Sequence, residues 1–142
     1  MRGVKFLTIL AIVFYVFLGN IALAEEQEKK HPIDVWLEKC IEKDSSTAGM
    51  INCGVKAYDM WDKELNKVYQ ELMKKLSPEE RKLLRESQRQ WLKFRDAEFK
   101  VIDKIYDFPG GFYTTQRIGS KIRIIRERAL RLKEYLDEIS EE

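Results

Sequence analysis

The side chains able to do chemistry are few: two cysteines, one histidine and a dense population of carboxylates spread along charged segments. Cys40 and Cys53 stand thirteen residues apart, too far for a C-x-x-C redox or metal pair. In an oxidising compartment an even cysteine count is read first as a disulfide. Closing a loop of about a dozen residues contributes about 3 kcal/mol in the chain-entropy model. The alternative, a metal or redox pair, lacks partners, because the lone His31 sits in a charged tail and no tetrahedral Cys/His ligand set can be assembled. For the same reason neither a Ser-His-Asp nor a Cys-His arrangement is available. General acid–base work needs a carboxyl with a tuned pKa. Pairs such as Asp59 with Asp62, or Glu79 with Glu80, are as well explained by solvated helix surfaces and by the positive end of a helix dipole. The expectation is a protein without catalytic residues, metal or cofactor, and not an enzyme.

Three further groups have chemistry suited to binding. Asn66, Tyr69, Gln88, Arg95 and Asp96 are polar residues on otherwise apolar helical stripes. With Trp91 on the same face they could touch a partner or a sugar. The preferred reading is structural: a buried or half-buried network in which Arg95 meets a carboxylate and the amides satisfy backbone or hydroxyl groups. On that reading Arg95→Ala lowers the melting temperature sharply. The loop Phe108-Pro109-Gly110-Gly111-Phe112-Tyr113 places aromatics beside a glycine pair. Phe108, Phe112 and Tyr113 either reach outward, as binding loops on rigid scaffolds do, or fold inward over the bundle end. Finally Arg117, Lys121, Arg123, Arg126, Arg128, Arg131 and Lys133 flank an isoleucine stripe. Such a cluster suggests nucleic acid, which export makes an unsuitable partner. Anionic lipid or acidic residues of the same molecule fit better, and intramolecular pairing is preferred.

The elements that must position these groups follow a chain start of another kind. Arg2 and Lys5 precede an apolar run from Phe6 to Leu18, broken by Gly19-Asn20 and closed by Ala22-Leu23-Ala24. That order of basic, apolar and A-x-A is a cleavable secretory signal. An uncleaved anchor would want about 20 apolar residues. The expected organisation is a signal peptide over 1–24, a charged linker over 25–31 and one domain over 32–142, periplasmic or secreted. The first segment holds two of the 26 lysines and arginines and none of the 24 acids, so the remainder carries equal numbers of both signs.

Apolar residues recur every three or four positions throughout that remainder, the period of a buried helical stripe. Pro32 suits the first turn of a short helix to about Lys43, with Val35, Trp36, Cys40 and Ile41 on one face. After the Asp44-Ser45-Ser46-Thr47 cap cluster, a long helix runs from about Thr47 to Leu76. Its stripe is Tyr58, Trp61, Leu65, Tyr69 or Val68, Leu72 and Leu76, with Asp59–Lys63 and Glu71–Lys75 spaced for surface pairing. Ser77-Pro78-Glu79-Glu80 reads as a capping box opening a third helix to about Tyr106. Leu84, Gln88, Trp91, Arg95, Glu98 or Phe99, and Ile102 line it. A fourth helix is expected from somewhere between Thr114 and Ile118 to about Ile139, along Ile118, Ile122, Ile125, Ala129, Leu132 and Leu136. The fold class is all-α: a small antiparallel helical bundle of about four helices with one disulfide.

Motifs on these helices carry a resemblance. Cys40 and Cys53 lead into Trp61-Asp62-Lys63-Glu64-Leu65-Asn66-Lys67-Val68-Tyr69-Gln70-Glu71-Leu72, followed by Ser87-Gln88-Arg89-Gln90-Trp91-Leu92-Lys93-Phe94-Arg95-Asp96-Ala97-Glu98 and Arg126-Glu127-Arg128. The pattern resembles the LprI-type domain, a family of exported bacterial proteins named after a mycobacterial lysozyme inhibitor, over roughly residues 36–133. The resemblance implies a binding module that acts on lysozyme or another cell-wall hydrolase, with Trp61, Leu65, Asn66, Tyr69, Gln88, Trp91, Arg95 and Asp96 as the family motif. Many members of the family carry a second cysteine pair, replaced here by Phe99 and Ser120, so packing around Phe99 and Ile122 must hold the last two helices. The alternative is a structural or stress-related envelope protein that binds peptidoglycan, anionic lipid or an endogenous hydrolase.

Overall fold

The computed structural model describes residues 30–140. The export segment and most of the charged linker lie outside them. Four helices follow in order: α1 Pro32–Lys43, α2 Thr47–Lys75, α3 Pro78–Ile105 and α4 Gly111–Glu138. Among the described residues there is no strand, and Cys40 is bonded to Cys53, tying α1 to α2.

Local signals set most boundaries. His31 caps α1, its Nδ1 accepting from the Ile33 N–H at 3.2 Å, with Pro32 in the first turn. The side chain read as part of a charged tail is therefore built into the fold, and its ring packs on Trp61 at 4.4 Å between centroids. Ser46 caps α2 through the Gly49 N–H at 3.0 Å. Ser77 and Glu80 form the capping box of α3, Glu80 accepting from the Ser77 N–H at 2.8 Å. The fourth helix begins earlier than the sequence suggests, at Gly111 rather than between Thr114 and Ile118. Gly110 adopts φ +113°, which turns the chain sharply and lets its carbonyl accept from the Thr114 N–H at 3.4 Å. That left-handed backbone conformation is open to glycine at no steric cost.

The interior is a seam between α2 and α4. Ala57, Trp61, Leu65, Val68 and Leu72 face Ile122, Ile125, Ala129, Leu132 and Leu136, all buried. Both rows advance by threes and fours, the spacing of coiled-coil seams. Tyr58 and Tyr69, which periodicity puts on the stripe, lie one position round the helix and are only half-buried, so Val68 is the core residue of the pair Val68/Tyr69. Gly54 lets α4 come close, since a Cβ there would lie 2.8 Å from the Ile118 side chain. Helix α1 adds Ile33, which the expected face of Val35, Trp36, Cys40 and Ile41 omits. Helix α3 buries only Leu84 and Ile102 along its whole length. Surface ion pairs within helices include Glu64–Lys67, Glu86–Arg89 and Lys133–Asp137, and not Asp59–Lys63 or Glu71–Lys75 among the described residues.

Candidate functional site

Because α3 rests on the seam by so few side chains, a groove of about 500 Å³ opens between α2 and α3. Asp62, Leu65, Asn66, Tyr69, Gln70, Arg85, Gln88, Trp91 and Arg95 are among its walls. The family-motif residues thus share one region, with two exceptions. Trp61 is fully buried in the core and does not line the groove, its Nε1 without a hydrogen-bond partner, and Asp96 is exposed.

The polar members do not join into one network. Asn66 donates to the Asp62 carbonyl one turn back at 2.8 Å. Arg95 pairs with its neighbour Asp96 at 2.7 Å, where the carboxylate is 59% exposed. Gln88 accepts from Arg128 Nε at 3.0 Å, and Ser87 from the same guanidinium at 3.1 Å. No charged or polar residue is fully buried among the described residues. The arrangement is a solvent-open cleft held by local pairs. Cations from α3 and α4 also meet one ring: the guanidiniums of Arg95 and Arg128 lie 5.5 and 5.8 Å from the Trp91 centroid. Each such contact is worth about 0.5–1 kcal/mol near a surface. Burial lowers the Arg128 pKa from its usual value, yet a guanidinium stays charged.

At the far end of α3 an aromatic ring joins three helices. Phe99 lies 6.3 Å from Tyr58, and the Lys121 ammonium sits 5.1 Å over the Phe99 ring while pairing with Asp103 at 2.6 Å. A half-buried lysine bridge between α4 and α3 stands beside that ring.

The turn between α3 and α4 reaches outward. Phe108 and Phe112 are 59% and 65% exposed, and both pack on Tyr113, with ring centroids 5.0 and 5.3 Å away. Since α4 starts at Gly111, Phe112 and Tyr113 project from a helical first turn and not from a loose loop. Gly111 is held against α2, where a Cβ would collide with Thr47 at 2.0 Å. The three rings form a convex aromatic knob on a fixed base.

The cations of α4 turn mostly inward or sideways. Arg126 meets Asp34 of α1 at 2.8 Å and lies over Trp61 at 5.5 Å. Lys121, Arg128, Arg131 and Lys133 have the partners Asp103, Gln88, Glu134 and Asp137. Arg117 and Arg123 alone of the seven have no hydrogen-bond, ion-pair or ring partner among the described residues. Three of the seven, Lys121, Arg126 and Arg128, are tied to other helices, and Arg123, Arg131 and Lys133 stay exposed.

Comparison with known proteins agrees with this geometry. The family model described as "Lysozyme inhibitor LprI" matches residues 40–132, from the first cysteine to the seam of α4. A crystal structure of an uncharacterized protein from Burkholderia thailandensis superposes with a TM-score of 0.73 at 32% identity, over 80% of this chain and 58% of the other. The chain thus spans rather more than half the length of that protein. No curated protein matches the sequence. By the extent of the family match, and by the helices and disulfide that carry it, the chain belongs to the LprI lysozyme-inhibitor family.

Proposed function

We propose that this protein is an exported, non-enzymatic binding module of the cell envelope that inhibits a lysozyme-type hydrolase by filling its cleft, with the Phe108–Tyr113 knob as the inserted part. The observation that carries the reading is the exposure of Phe108 and Phe112 on a base fixed by Tyr113 and Gly111. A polysaccharide-cleaving cleft is concave and offers flat apolar faces to sugar rings. Aromatic side chains bury large areas, and holding them in place before binding reduces the ordering cost. Membership of the family supplies the class of target. Export rests on the basic, apolar and A-x-A order of residues 1–24.

Charge bears on the mechanism. Animal-type lysozymes are basic, and a domain with 24 charges of each sign has no net field to attract them. Internal pairing of most α4 cations also removes much of the repulsion they would cause. Inhibition therefore depends on shape, and raising the salt changes it little. The test is a lysis assay with the purified protein at micromolar concentration and low salt, alongside Phe108→Ser/Phe112→Ser. Inhibition by the native protein, with at least a tenfold loss in the double variant at unchanged melting temperature, supports the reading. Absence of inhibition, or full inhibition by the double variant, overturns it.

A further inference from the structure

The groove between α2 and α3 takes no part in filling a partner's cleft, yet the charges along it are one-sided. The guanidiniums of Arg85, Arg89 and Arg95 line it against a single carboxylate, that of Asp62. Arg95 is committed to Asp96 and to the Trp91 and Phe99 rings. Arg85 is exposed and has no hydrogen-bond, ion-pair or ring partner among the described residues. Arg89 meets only Glu86, an exposed neighbour on its own helix, at 3.5 Å. Such a pair holds little energy and exchanges readily. Four residues apart, Arg85 and Arg89 stand one above the other on one face of α3. Asp62 is already engaged by the Asn66 amide at 3.3 Å. The charge left over in the groove is positive, and it calls for an anion.

The neutral part of the lining narrows the kind of anion. The side chains of Gln70 and Tyr69 have no hydrogen-bond partner among the described residues, and Asn66 uses only its amide N–H, leaving its carbonyl oxygen over. Leu65 is buried beneath them, and Trp91 and Leu92 are half-buried, so apolar surface lies beside the polar atoms. Both walls are helix interiors, whose backbone groups are spent on their own turns. Recognition therefore falls to side chains alone. An extended peptide is read through its main chain along a strand edge, and an amphipathic helix needs an apolar groove; this groove offers neither. A sugar ring, with polar groups round its rim and apolar faces, suits amides, a phenol and an indole. A carboxylate on that ring suits the planar fork of an arginine. From Arg85 to Arg95 the wall is about 15 Å long, room for a disaccharide.

We propose that the α2–α3 groove binds a carboxylate-bearing saccharide. Arg85 and Arg89 receive the carboxylate, Asn66, Gln70 and Tyr69 receive hydroxyl or acetamido groups, and Trp91 offers apolar surface to the ring. The groove is open to solvent and its contacts are few, so a dissociation constant of about 0.1–1 mM per sugar unit is expected. The sugar acid can be free or one unit of a glycan strand, since both present the same groups. None of the knob residues Phe108, Phe112 and Tyr113 lines the groove, so the proposal stands apart from the cleft-filling reading.

The test is a nitrogen-15 NMR titration of the protein, expressed from its full sequence and purified as the cell delivers it. The probes are N-acetylmuramic acid and N-acetylglucosamine, which differ by a carboxylate-bearing side arm. Saturable shifts of the Trp91 indole and of the Asn66 and Gln70 side-chain amides are expected with the acid, and at least tenfold weaker binding with the neutral sugar. Arg85→Gln/Arg89→Gln should reduce the acid to the level of the neutral sugar at unchanged melting temperature, because both side chains are exposed. Lys82→Gln/Lys93→Gln removes the same charge from exposed positions outside the groove and should leave binding intact. Phe108→Ser/Phe112→Ser should leave it intact as well, which separates failure of the knob from failure of the groove. Sedimentation with purified peptidoglycan, competed by N-acetylmuramic acid, would assign the ligand to a glycan strand; binding of the free acid without sedimentation would assign it to a soluble sugar acid. No saturable shift up to about 20 mM, well beyond the expected range, overturns the proposal. So does an equal response to both sugars, an equal loss in the lysine variant, or tighter binding of tri-glutamate in the groove.

Discussion

Helices α2 and α4 meet along a dry seam of ten buried side chains, whereas α3, about as long as either, lays only Leu84 and Ile102 into the same interior. The two regions differ in what their residues are used for. Along α2 and α4 nearly every third or fourth position is spent on burial, at about 25 cal/mol per Å² of apolar surface removed from water. Along α3 the inward positions include Gln88, Trp91 and Arg95, which make a hydrogen bond to Arg128 and set two guanidiniums near one indole. Large apolar residues are left for the outside. Stability is thus concentrated in one helix pair, crosslinked to α1, while α3 keeps its polar and aromatic side chains at an open groove.

The comparison can be broken most directly in the seam. Trp61→Ala removes a fully buried indole from the centre of α2, and a loss of about 3–5 kcal/mol is expected by denaturant unfolding. A loss below about 1 kcal/mol, within the range of ordinary surface changes, would show that the seam is not where stability resides. Removing the disulfide by Cys40→Ser/Cys53→Ser should cost about 3 kcal/mol and leave the four helices present by circular dichroism. Leu84→Ala on α3 should cost no more than about 2 kcal/mol, the low end for such truncations, because a lightly held helix can shift to close the space. Arg95→Ala should be milder still, about 1 kcal/mol, from two ring contacts and an exposed pair. The sharp melting loss that a buried network would give is therefore not expected.

Hydrogen exchange sharpens the contrast without mutation. Amides of α3 should exchange faster than those of α2 and α4, since local opening follows sparse burial. A smaller effect concerns pH. Hydrogen bonds from the Ser77 hydroxyl and backbone N–H hold the Glu80 carboxyl below its usual pKa. A depressed folded-state value favours the folded form above the unfolded pKa, and that contribution disappears as pH falls through the lowered value. The first turn of α3 should fray in acid before the seam does, and Glu80→Gln should remove that pH dependence, as followed by amide chemical shifts.

Sequence alone carried a good deal of this. Ser46, and Ser77 with Pro78 and Glu80, mark helix starts because capping is decided within a few residues of the chain, whereas the glycine pair at 110–111 read as loop and is where α4 begins. The seam row on α4 was legible from Ile118 to Leu136 for the same reason, since one strong period leaves one face to bury. Where two apolar stripes compete the signal divides. Tyr69 and Val68 are adjacent, and periodicity could not say which enters the core. His31 gave no sign of its place, because a cap and a ring contact with Trp61 depend on where α1 docks.

Composition, caps and the two cysteines sufficed to determine four helices, one crosslink and the principal core, since those depend on local hydrogen bonds and on a period within each segment. Only the tertiary structure decided how far α3 stands from α2, that Arg95 pairs with its neighbour in an open groove, and that Phe108 and Phe112 face solvent. Distances between helices arise from the sizes of side chains meeting across the interior. Those meetings join residues far apart in the chain, such as Asp34 with Arg126 or Gln88 with Arg128, and no local pattern records them.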